Sequence, residues 1–214
     1  MDNFQHPTHQ PAGKKVAILG GNRIPFARSN GQYANVSNSE MLTAALNGLV
    51  ERYNLQDKRL GEVVAGAVIK LSRDINLTRE CVLSTALSPQ TPAYDISQAC
   101  ATGLQAAFAV SNKIALGLID SGIAGGVDTT SDAPLGIGDG LRKALLKLNN
   151  AKTNKDRLQA LLSINPKDLI DAPQNGEPRT KLSMGEHQAI TALEWAITRE
   201  AQDELTFNSH KNLA

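Results

Sequence analysis

The sequence predicts an α/β domain, a layered sheet with covering helices. Three observations carry that expectation. Between residues 16 and 126, short apolar runs alternate with stretches of helical periodicity. The runs at 63–69 and 119–126 are apolar almost throughout, as strands buried on both faces are. Glycine, proline and asparagine fall at the joints between them.

The elements follow in order. Residues 16–19 form an apolar run closed by Gly20 and Gly21, which reads as a buried strand ending in a turn. After a loop through Pro25 and Gly31, Ser39 precedes Leu42, Ala45, Leu46, Leu49 and Val50 at helical spacing, and Asn54 supplies the stop. A second strand is expected at 63–69, a second helix at 78–87 and a third strand at 93–96, after Pro92. From Cys100 a helix runs to Gly117 with Leu104, Ala107, Phe108, Ser111 and Ala115 on one stripe, and 119–126 make a fourth strand. Between Ser131 and Arg179 the texture changes to repeated Gly, Pro and Asn around one amphipathic stretch at 141–148, read as a lobe set over the core. Ser183 and Glu186 have the spacing of a capping box, and Ile190, Leu193 and Ile197 continue that helix. Thr198 caps a last helix that runs to Ala214 with no strand after it, so the chain is expected to stop in mid-fold. The expected division is a flexible tail at 1–13, a core at 14–130 and a further segment at 131–214.

Bulk properties remove several classes of function. A net charge of +1 with 20% charged residues offers no global field for nucleic acid. No run of about 18 apolar residues occurs, so no membrane span is expected. Residues 1–13 lack the basic start and apolar run of a secretory signal, and His6 and His9 within them read as solvated. Two cysteines, Cys81 and Cys100, are too few for a disulfide framework and lack zinc-site spacing; they suit a reducing cytoplasm, and no metal is expected. The glycine pair at 20–21 opens no G-x-G-x-x-G, and Pro25 interrupts the helix such a loop needs. The basic run Arg142, Lys143, Lys147, Lys152, Lys155 and Arg157 either attracts the phosphates of a ligand or an anionic surface, or is a solvated helix face.

Cys100 is the candidate nucleophile. At the start of a buried helix its thiolate meets unpaired N–H groups and the positive end of the dipole. Ala101 and Gly103, flanking Thr102, leave room for a carbonyl to approach the sulfur. The same spacing also fits a buried structural cysteine.

Several segments together resemble the thiolase family: GGNRIPFAR at 20–28, DISQACATGLQA at 95–106, AGGVDTTSDAP at 124–134, MGEHQA at 184–189 and ITREAQDE at 197–204. The run KALLKLNNAKTNKDRLQALL at 143–162 looks most like the branch that handles 3-oxoacyl-CoA in fatty-acid β-oxidation. The resemblance implies a thiolase-like N-terminal half with a layered mixed sheet, plus part of an inserted, mostly helical loop domain. It implies acyl transfer in which Cys100 attacks a 3-oxoacyl-CoA, releases acetyl-CoA and passes the acyl group to CoA. Met184 falls where thiolases place a methionine near the acyl pocket, and Gly103 lies in the nucleophile motif, so both are substrate-binding candidates. Coenzyme A and acyl-CoA are then substrates, with no cofactor beside them. The implied protein partners are a further copy of the chain, a C-terminal thiolase half or a β-oxidation complex. The base-bearing histidine, asparagine water site and second cysteine of the family's second half are not found; His187 and His210 fall in segments that resemble the loop domain. Asp128 stands where many members have glutamate, and Thr129 and Thr130 replace larger residues. Two other readings stand beside this one: a catalytically inactive remnant that binds acyl-CoA or a partner, and a decarboxylating condensing enzyme.

Overall fold

The computed structural model describes residues 13–166, 169–171 and 174–213. The tail at 1–12, with His6 and His9, lies outside the described residues. The chain divides into two compact units, Met1–Pro134 and Leu135–Ala214.

In the first unit, α1 (Asn38–Arg52), β1 (Glu62–Ala65), α2 (Leu77–Leu83), β2 (Ala93–Asp95), α3 (Thr102–Ala115) and β3 (Gly122–Ala124) follow one another. The strands form a parallel sheet in the order β2-β1-β3, with Val64 opposite Tyr94 on one side and Ala124 on the other. Every residue of the central β1 is buried, because helices cover both faces of the sheet. Val63 and Ala65 pack with Leu42, Leu46 and Val50 of α1 and Leu77, Cys81 and Val82 of α2. Val64, pointing the other way, packs with Ala106 and Val110 of α3. The buried carboxylate of Glu62 is paired with Lys113, which lies 5.1 Å from the centre of the Tyr94 ring.

Three expectations are corrected here. Residues 14–28 contain no strand, and Ile18 and Leu19 are exposed. The segment is tied down at isolated points, by Lys14 N–H to the Ala115 carbonyl, Tyr53 Oη–H to the Leu19 carbonyl, the Arg52 guanidinium to the Gly21 carbonyl and Asn22 Nδ2–H to the Ala45 carbonyl. An extended apolar run becomes a strand only when a neighbour accepts its ladder, and the sheet's pairing stops at β3. The cap of α1 is Ser37, not Ser39: its hydroxyl accepts from Glu40 N–H while Glu40 reaches back to Ser37 N–H. The stop at Asn54 does hold, with that residue left-handed at φ 52°. On α3 the buried stripe is Thr102, Ala106 and Val110, and Leu104, Ala107 and Phe108 face outward. Small side chains on the inner face let α3 lie close on Val64.

The second unit holds β4 (Gly136–Ile137), α4 (Asp139–Asn150), α5 (Asn154–Leu162), β5 (Ile170–Asp171), α6 (Met184–Glu194) and α7 (Arg199–Leu213). The strands β4 and β5 pair antiparallel, and α4 packs on α5, with Ala144 and Ala160 buried. Asp139 pairs with both Arg142 and Lys143, so part of the basic run is answered by a neighbour that the sequence reading left out. Ser183 and Glu186 close the expected capping box at the start of α6. Neither α6 nor α7 has a buried residue.

Candidate active site

Three loops leave the carboxyl ends of the three parallel strands, where open α/β sheets place their ligand crevices. The loop after β1 is joined to the loop after β3 by the Asp128 carboxylate, which accepts from Val68 N–H at 3.0 Å and Ile69 N–H at 2.7 Å. Val127 N–H donates to the Gly66 carbonyl at 3.0 Å and Gly125 N–H to that of Val64. The loop after β2 is anchored by Ile96 N–H to the Ala65 carbonyl at 2.9 Å. Gly66 is required there: a Cβ on it would stand 1.9 Å from the Ile96 oxygen and 2.9 Å from the Thr102 methyl.

At the end of β2, Asp95 fixes the start of the cysteine loop. Its carboxylate accepts from Leu77 and Thr78 N–H at the α2 N-terminus and pairs with Lys70 at 2.8 Å. Burial works against the charge, but the bonds from Lys70 and Thr78 outweigh it and hold the carboxyl below its ordinary 3.8.

Cys100 follows in a tight turn. Ala101 N–H donates to the Gln98 carbonyl at 3.0 Å and Thr102 N–H to that of Ala99 at 3.1 Å. Ala99 is left-handed at φ 44°, a conformation that alanine adopts at a cost of about 1–2 kcal/mol. Beyond the turn, α3 begins at Thr102 with Ala101 as N-cap and no side-chain cap, so no side chain occupies the first-turn amides. Cys100 itself is exposed, two residues ahead of the helix proper. The buried structural cysteine is Cys81 instead, where burial foremost pushes the thiol up.

Gly103 lies in the first turn of α3, exposed, with open space where a side chain would stand. Met184 opens α6 in the second unit, its side chain exposed. His187, also on α6, exchanges a hydrogen bond with Thr180 at 3.1 Å, and His210 lies exposed on α7. The described residues of the first unit contain no histidine. A half-enclosed cavity of about 380 Å³ in the first unit is lined by 22–27, Ser29, Tyr33, the start of α1 and 126–130; Cys100 is outside its lining. Among the described residues no three His, Cys, Asp or Glu side chains group to hold a metal ion, and no helix is long and apolar enough to cross a membrane.

The sequence reading missed Ala99, Thr102, Gly66 and Asp95. Only Gly66 carried a signal, a glycine inside an apolar run.

The family model for the N-terminal domain of thiolase matches residues 16–214. A 3-ketoacyl-CoA thiolase of Pectobacterium carotovorum is 38% identical over 200 residues, covering 93% of this chain and 46% of that protein. The 3-ketoacyl-CoA thiolase of Vibrio cholerae gives the same identity and coverage. The crystal structure of the Bacillus anthracis acetyl-CoA acetyltransferase superposes with a TM-score of 0.75 at 24% identity, over 94% of this chain and 47% of that one, which shows the shared fold. The chain thus spans about half the length of the curated relatives it matches.

Proposed function

The chain belongs to the thiolase family, in its N-terminal domain, and from that premise we propose that it carries the nucleophile of a thiolase-type acyltransferase. The observation that supports this most is Cys100, exposed in a left-handed turn at the uncapped start of α3 within a family match that spans the motif. The Cys100 thiolate attacks the 3-oxo carbonyl carbon of a 3-oxoacyl-CoA. The bond between C2 and C3 breaks, the acyl group stays on Sγ as a thioester, and the released carbanion takes up a proton as acetyl-CoA. The thiol of a second CoA then attacks the thioester, acyl-CoA leaves and a proton returns to Sγ. The amides at the uncapped start of α3 stabilise the developing oxyanion. Gly103 leaves the approach open, and Met184 is the second substrate-binding candidate by its place in the MGEHQA segment.

The reaction takes its base and acid from a C-terminal thiolase half. Two facts support this reading: the first unit's described residues hold no histidine, and the chain covers 46% of its relatives. Coenzyme A and acyl-CoA are substrates, and a reducing cytoplasm keeps both thiols free. The decisive experiment incubates the chain with acetoacetyl-CoA, alone and with a separately produced C-terminal thiolase half, and measures the mass of the Cys100 peptide and the release of acetyl-CoA. Acetyl transfer to Cys100, lost in Cys100→Ser and turning over only with the added half, is expected. No label on Cys100 in either mixture overturns the proposal. Binding of acetoacetyl-CoA with no label on Cys100 when the half is present favours the inactive binding remnant.

A further inference from the structure

Beside its two backbone bonds, the turn that presents Cys100 is held by a buried hydroxyl. Thr102 Oγ1 accepts from Gln98 N–H at 2.8 Å and donates to the Ala99 carbonyl at 2.7 Å. It therefore bonds to the residue before the left-handed twist and to the carbonyl of the twisted residue itself. Thr102 is itself fixed, since it is 5% exposed and its methyl stands 2.9 Å from the position a Cβ on Gly66 would take. The strand end of β1, the glycine after it and the threonine form a rigid back wall to the turn. Alanine has no side chain to stabilise a positive φ, so the bonds that hold it must come from elsewhere.

We infer that Thr102 is a positioning residue which, through these two hydrogen bonds, keeps Ala99 left-handed and so aims the Cys100 thiol. This rests on Cys100 being the reactive thiol of the proposed function. It goes beyond that reading by assigning the geometry of the thiol to a side chain that itself touches no substrate. Valine at 102 preserves the packed shape and removes both bonds. Serine removes the methyl and preserves them. Glycine at 99 takes the left-handed conformation without strain and so lessens the need for the lock.

The test follows alkylation of Cys100 by iodoacetamide in the intact chain, peptide by peptide. Buried Cys81 serves as an internal monitor of folding, since it stays protected while the first unit is intact. Loss of two neutral hydrogen bonds predicts that Thr102→Val slows Cys100 alkylation about tenfold. Thr102→Ser is expected within about twofold of the parent, and adding Ala99→Gly to Thr102→Val recovers most of the rate. A Thr102→Val rate within about twofold of the parent, with Cys81 protected, overturns the inference. So does a Thr102→Ser variant as slow as Thr102→Val. Where valine unmasks Cys81, Thr102→Ala against Thr102→Ser decides: an equal rate overturns the inference, and a slower alanine variant supports it. Acylation of the parent by acetoacetyl-CoA is run in parallel. Its failure counts against the proposed function alone, because the alkylation series needs no acyl transfer.

Discussion

Gly66→Ala tests the construction of the site at its tightest point. A Cβ at 66 would stand 1.9 Å from the Ile96 carbonyl oxygen, whereas carbon and oxygen rest at roughly 3.3 Å or more. About 1.4 Å of movement is therefore needed, and the obstacle is backbone. The same loop is pinned by Ile96 N–H on Ala65 and Val127 N–H on Gly66, so movement strains one of these bonds. Overpacking costs about 1–3 kcal/mol and a weakened backbone bond about 1 kcal/mol more, which gives about 3 kcal/mol for the variant. With a urea dependence of about 2 kcal/mol per molar, the midpoint falls by about 1.5 M, read by urea unfolding with Cys81 labelling as the probe of this unit. Gly103→Ala is the control. Open space surrounds that position in a helix, so alanine stabilises by about 0.5–1 kcal/mol. If Gly66→Ala lies within about 0.5 kcal/mol of the parent, the close approach of these loops is wrong, and with it the rigid wall behind Thr102.

Asp95→Asn is expected to cost about 2–3 kcal/mol, because Lys70 and two helix N–H groups lose a carboxylate. The folded carboxyl titrates below its ordinary 3.8, so its contribution is complete above that value and is lost as pH falls through the folded one. The parent's stability should therefore drop below about pH 4 more steeply than that of the variant, measured by urea unfolding across pH 2–6. On α3, Leu104→Ala should change stability by less than about 0.5 kcal/mol, and Val110→Ala should cost about 1–3 kcal/mol. Equal losses at the two positions would restore the outward stripe as the buried one.

What the sequence revealed and what it hid follow from how local each feature is. The capping box of Ser183 and Glu186 is a contact between residues three apart, so spacing alone finds it. The same motif at Ser37 and Glu40 was passed over because Ser39, a second capping type, stands closer to the apolar positions. A strand buried on both faces, such as Val63 and Val64, shows as unbroken apolar sequence. The face of α3 misled because size and burial run opposite to habit: Ala106 is inside and Phe108 outside. Ala99 gave no signal at all, since alanine has no preference for a left-handed turn. Cys100 was legible from its motif, but its exposure was not.

The strand order has a consequence for how the chain assembles. Val64 meets Tyr94 across 30 positions of chain and Ala124 across 60. Doubling the span adds only about 0.6 kcal/mol of closure entropy, yet the second pairing also waits for α3 to form and cross over the sheet. During synthesis, then, the cysteine loop emerges before the strand whose exit loop buttresses its neighbours through Gly125, Val127 and Asp128. A nascent chain therefore holds the Cys100 loop on an unfinished scaffold, because the loop after β1 is joined to the loop after β3 only once that last strand has arrived.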